Sequence, residues 1–175
     1  MLLLEESMNA FTLTLKLAFV ALVSANFTGS APAQNRIPHY KDYPVSEVYI
    51  GKTAPLVLAR DDRMFKTRLA WAAKNQRPNF AGHYILTSWG CGTSCLMGAI
   101  IDAKTGKVYW WKFSICCWSF DVDDKFQPID FRLNSKLIVF SGARNEKDGD
   151  IGAHFYKFEN GRFVLVRSVL KENQN

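Results

Sequence analysis

Apolar and polar positions change rhythm three times along the chain. Leu17 to Val23 is an unbroken apolar run with Lys16 before it, and small and polar residues follow as far as Ala31-Pro32-Ala33. A basic residue, a short apolar core and an A-x-A site form the three parts of a secretory signal. Residues 1–33 are therefore read as a signal peptide cleaved near Ala33. Glu5 and Glu6 do not suit its basic region, so translation is expected to start at either Met1 or Met8. The run is far shorter than the roughly 18 apolar residues of a spanning helix, and no transmembrane segment is expected in the mature chain.

Residues 34–60 form a Pro-rich lead. Pro38, Pro44 and Pro55 interrupt any long helix, and Val45 to Ile50 reads as a short edge strand. A helical rhythm follows. Phe65, Leu69, Ala72 and Ala73 recur at the spacing of one helix face, with Arg63, Thr67, Lys74 and Arg77 opposite. Asp61 and Asp62 can cap the free amides of the first turn, and Pro78 stops the helix. The spacing predicts an amphipathic helix over 62–76.

From Phe80 onward the rhythm is that of strands. Six segments qualify: 80–89, 96–102, 107–113, 136–142, 151–158 and 162–168. Asn160-Gly161 suits a tight hairpin turn, since both residues tolerate positive φ. Pairing Glu159 with Arg162 then sets Phe158 against Phe163, Tyr156 against Leu165 and His154 against Arg167. Pairing Asp102 with Lys107 around A-K-T-G brings the 91/95 segment beside the 116/117 segment, with a slip of one or two residues allowed for a bulge. The fold class is α+β: an antiparallel β-meander of about six strands with one N-terminal amphipathic helix, as a single domain over 61–175. Three propeller blades at most would fit, too few to close a ring.

Composition supports a folded chain: of 175 residues, 48% are hydrophobic and 22% charged. The net charge of +6 favours solubility and, in an exported protein, anionic partners. Cys91, Cys95, Cys116 and Cys117 make an even number of cysteines in an oxidising compartment, which reads as disulfides. Neighbours in a strand point to opposite faces, so Cys116 and Cys117 are expected to bond not to each other but one each to Cys91 and Cys95, in either combination. C-G-T-S-C is C-x-x-x-C and lacks the strand-to-helix context of a thioredoxin-like redox motif. No metal site and no cofactor are expected.

Three stretches, N-F-A-G-H-Y (79–84), W-G-C-G-T-S-C (89–95) and G-A-I-I-D-x-x-T-G-x-V-Y (98–109), resemble a group of small exported bacterial proteins to which no activity is attached. The resemblance implies export and nothing about chemistry. S-G-A-R (141–144) resembles the start of the S-G-A-R-Y loop of periplasmic inhibitors of C-type lysozyme, with Asn145 in place of the Tyr.

Of the remaining groups, His83 lies in a strand, and Trp89, Trp110, Trp111 and Trp118 surround one hairpin. In a strand Trp110 and Trp111 face opposite sides, so either one is exposed or other elements cover both. D-V-D-D (121–124) and N-E-K-D-G-D (145–150) lack the spacing of a calcium loop. The function read from these features is that of an exported, periplasmic or secreted, noncatalytic binding or inhibitor-type protein. Its expected face carries His83, Trp89 and Trp118 beside the cysteines. Its partner would be a protein or an anionic cell-envelope polymer, not nucleic acid. Two alternatives stand beside it: a cell-envelope hydrolase using His83, and a structural envelope protein without a small ligand.

Overall fold

A computed structural model describes residues 36–118 and 125–171. The signal segment of the sequence reading and the D-V-D-D loop lie outside these residues. Two short 3-10 turns, Tyr40–Asp42 and Asp61–Phe65, precede one helix, α1 (Lys66–Asn75). Eight strands follow: β1 (Tyr84–Gly92), β2 (Cys95–Asp102), β3 (Val108–Trp110), β4 (Ile115–Cys116), β5 (Ile129–Phe131), β6 (Leu137–Arg144), β7 (Gly152–Glu159) and β8 (Arg162–Leu170). All ladders between them are antiparallel. The six predicted strands are present, and the short β4 and β5 are additional.

The two extra strands explain how one sheet encloses a core. β3 and β4 both pair with β2, as two pieces of one interrupted strand. The register of β2 with β3 keeps the predicted pairing, with Ile101 opposite Val108. Past the interruption it has slipped by two, so that Leu96 faces Ile115 and Cys95 faces Cys116. β4 then passes the sheet on to β6, while β5 takes the rest of the same β6 edge. Strand order is β1-β2-β4-β6-β7-β8.

Both halves of the sheet feed one core. Leu86 and Ile100 from β1 and β2 meet Ile138, Phe140, Tyr156 and Phe158 from β6 and β7, with Trp111 and Ile115 between. A second core lies on the other face of β1 and β2. There Ile85, Trp89, Ala99 and Ile101 meet Leu69 and Ala72 of α1. Alternate residues of the β1–β2 hairpin thus enter different cores, which is why this hairpin is apolar on both faces. Trp110 and Trp111 follow the same rule. Trp110 joins the helix side and Trp111, 3% exposed, joins the other. Gly98 makes room for Trp111, because a Cβ there would collide with its indole and with the Thr87 carbonyl.

Three local expectations need correction. The helix starts at Lys66 rather than at 62, because Asp62 is engaged elsewhere: its carboxylate accepts from the Ala59 amide at 2.6 Å and from the Trp110 indole at 2.8 Å. No strand forms over 45–50; the lead instead docks by isolated bonds, including Tyr49 N–H to the Gly82 carbonyl, Ala54 N–H to Ala103 and a parallel bridge between Val57 and Lys107. It belongs to the same compact unit as the sheet, which runs from Ile37. Finally, a bulge in β8 moves His154 opposite Ser168, and Phe155 takes Arg167. Below that bulge the predicted hairpin register holds, from Tyr156–Leu165 to Glu159–Arg162.

Candidate functional site

The residues singled out by the sequence fall at different places. His83 immediately precedes β1, beside the turn after β2, since Tyr84 pairs with Asp102. The cysteine loop is at the other end of the same hairpin, where Gly92 pairs with Cys95. Eight residues of extended strand separate the two ends, about 27 Å at ~3.4 Å per residue. The expected convergence of His83 with the cysteines is therefore corrected. Trp89 lies between, 8% exposed, against Phe65 and Trp110 with Arg68 over its ring. It is a core residue. Trp118 is half-buried against the main core, next to Cys117.

At the first end, a cleft of about 300 Å³ is bounded by Glu47, His83, Tyr84, Lys104, Lys136 and Glu159, among others. The His83 ring stacks on Tyr84 with centroids 4.1 Å apart, and its Nε2 is 3.7 Å from Asp102 Oδ1. Burial lowers the His83 pKa below its ordinary value, against the opposing pull of Asp102. Burial, with Asp102 nearby, pushes the Tyr84 hydroxyl up to about 12. Lys104 pairs with Glu47 across the cleft and holds that carboxyl below its usual range. Asp102 is committed to its turn. Oδ1 accepts the Lys104 amide and Oδ2 the Thr105 hydroxyl, both at 2.8 Å. Gly106 completes the turn at φ +76, and a Cβ there would run into the Pro55 carbonyl. D-x-x-T-G is thus a turn motif that also anchors the lead. Among the described residues no hydroxyl or thiol is hydrogen-bonded to the His83 ring.

At the second end are the cysteines. Cys91 is bonded to Cys95, and Cys116 to Cys117. The expected bonds between the two segments are corrected on both counts. The face-alternation rule fails for Cys116 and Cys117 because the strand stops between them: Cys117 turns to φ +61, outside the extended region. The meeting of the two segments does hold, since Cys95 and Cys116 are direct cross-strand partners. Beside them is a recess of about 490 Å³ lined by Cys91, Cys95, Met97, Trp110, Lys112 and Phe113, with Trp111 and Ser114. Its lining is mainly apolar in residue type, with Lys112 exposed at its rim.

No family profile, curated protein or solved structure matches the chain.

The groups at these two places that sequence reading did not single out are Glu47 and Lys104 at the His83 cleft, and Met97 and Phe113 at the recess. None has a local motif; the lead's path and the interrupted β3–β4 strand place them. S-G-A-R lies within β6, and Arg144 there is locked by Asp150 rather than displayed on a loop. Asp150 in turn leaves N-E-K-D-G-D with its innermost carboxylate already engaged.

Proposed function

We propose that this chain is an exported binding protein of the inhibitor type, without a catalytic step, and that it engages a protein partner through the recess at the cysteine end of the sheet. The observation that carries this reading is the recess itself. It is open, mainly apolar, and bordered by the short loop that the Cys91–Cys95 disulfide closes. A rim that is stiff before binding loses little entropy on binding, and aromatic walls offer contact area at low rotamer cost. The fitting partner element is an apolar side chain flanked by acidic residues, because Lys112 stands at the rim and the chain carries +6 overall. His83 and Trp89 are left out of this face. Trp118 is also left out, since it packs against the main core and does not line the recess.

The test is charge reversal at the rim. Lys112→Glu should weaken binding of the partner about tenfold or more and leave the melting temperature unchanged, while Lys74→Glu on the exposed helix face should change neither binding nor melting temperature. Equal binding by all three proteins would remove the recess from consideration.

A second reading draws on the His83–Asp102 approach inside a cleft. A hydrolase working there would release soluble fragments from cell-envelope material, and His83→Ala would stop it with the fold intact. Such a result would place the activity at the opposite end of the hairpin and displace the binding reading.

A further inference from the structure

The two disulfides meet at a cross-strand pair, Cys95 opposite Cys116. Cys95 and Cys116 are buried together in one small cluster with Ala143. Cys91 and Cys117, their bonded partners, are exposed. In the order Cys91, Cys95, Cys116, Cys117 the residues are therefore exposed, buried, buried, exposed. Directly opposed residues of an antiparallel pair have Cα atoms about 4.5–5.5 Å apart. A disulfide spans Cα separations of about 4.4–6.8 Å, so the inner pair is within bonding range across the β2–β4 ladder.

We propose that this cluster is a thiol–disulfide exchange centre for external dithiols, in which Cys95 and Cys116 carry the bond between two exposed cysteines. A thiolate of an external dithiol attacks Sγ of Cys117, the exposed residue of its pair. The Cys116–Cys117 bond breaks, a mixed disulfide forms, and Cys116 leaves as thiolate. The second thiol of the reductant attacks its own sulfur in the mixed disulfide and expels Cys117 as thiolate. The reductant departs as a disulfide, having given up two electrons and two protons. The Cys116 thiolate then attacks Sγ of Cys95. The Cys91–Cys95 bond breaks, the Cys95–Cys116 bond forms, and Cys91 leaves as a thiolate that solvent can protonate. The product holds one disulfide and two exposed thiols, Cys91 and Cys117. An external disulfide is reduced by the reverse sequence.

Two physical reasons favour this order. Exchange depends on access to the attacked sulfur, and here each bond joins one exposed and one buried residue. The bonded cysteines are only four and one residues apart, whereas a Cys95–Cys116 bond closes a much longer loop. Stabilisation of a fold by a cross-link grows with loop length, so the folded chain favours the inner bond once one disulfide has been spent. The inference does not rest on the proposed binding role.

The test is disulfide mapping on the full chain across a series of dithiothreitol buffers, with acid quenching, alkylation by N-ethylmaleimide and proteolysis. At two thiols per chain, alkylation is expected at Cys91 and Cys117, with Cys95 linked to Cys116 at least tenfold over species that keep either original bond. Passage directly from zero to four thiols, or retention of Cys91–Cys95 or Cys116–Cys117, overturns the proposal. Small amounts of the chain should also speed electron transfer from dithiothreitol to oxidised glutathione, and Cys91→Ser with Cys117→Ser should abolish this. No acceleration by the wild type overturns the exchange role. If the double variant does not fold, the wild-type mapping and rate decide the matter alone.

Discussion

Two buried polar residues, His154 and Asp150, are each held by more than one partner. His154 is fully buried. Its Nε2 faces two carbonyls, Gly142 at 3.0 Å and Asp150 at 2.9 Å, and Nδ1 meets the Ser168 hydroxyl at 2.8 Å. Carbonyls only accept, so the proton sits on Nε2. Asp150 clamps Arg144 through paired oxygens at 2.8 and 2.7 Å and also accepts the Arg144 amide. The Arg144 guanidinium holds the Asp150 carboxyl down to about 2, against the effect of burial. A carboxylate with a depressed folded-state pKa adds stability that is complete above its unfolded value near 3.9. That stability disappears as pH falls through about 2. Asp150→Asn should cost on the order of 2 kcal/mol at neutral pH and flatten the acid limb between about pH 4 and 2. Denaturant titrations at a series of pH values measure both. An unchanged acid limb would mean the clamp contributes nothing.

At the scale of elements, the sheet needs fasteners where its regular bonding ends. Asn79 supplies one for β1, where its side chain accepts from the Leu86 amide at 2.7 Å and donates to the Leu86 carbonyl at 3.1 Å. An amide side chain there substitutes for a neighbouring strand at one position of the edge. Asp62 supplies another by tying the turn before α1 to the Trp110 indole. Asp62→Ala would leave that indole and the Ala59 amide without their carboxylate, at a cost of about 2–3 kcal/mol. Calorimetry should show the melting temperature falling by about 5–10 °C, with a change in tryptophan emission as α1 loosens over Trp89 and Trp110. A variant that melts like the wild type would show that Leu69 and Ala72 alone seat the helix.

For the whole molecule, two cores carry the fold and the disulfides sit at one margin. A bond between residues so close in sequence removes little freedom from the unfolded chain: about 2 kcal/mol for the Cys91–Cys95 loop and about 1 kcal/mol for adjacent cysteines. Full reduction should therefore lower the melting temperature by about 10 °C and leave a cooperative transition with the same far-ultraviolet spectrum. Loss of the transition would mean that the cysteine end organises the cores rather than following from them. The same view explains why the proposed binding recess lies at that end. The recess lies where β3 breaks off and β4 resumes, and an interrupted strand leaves a gap that a continuous one would close.

Much of this was legible in one dimension. The helix face through Leu69 and Ala72, six strand segments, the Asn160-Gly161 turn and the pairing of Asp102 with Lys107 all follow from local periodicity and turn chemistry, which depend on neighbours in sequence. The meeting of Cys95 with Cys116 followed from that register once the slip was allowed. Other features depended on which residues meet across long stretches of chain. Disulfide partners were decided by a strand that stops at Cys116, which no face-alternation rule can see. The place of Trp89 in a core was decided by the helix that covers it. The separation of His83 from the cysteines was decided by strand direction, since one hairpin carries them at opposite ends. Periodicity specifies which face a residue takes; only the folded path of the chain decides what lies against that face.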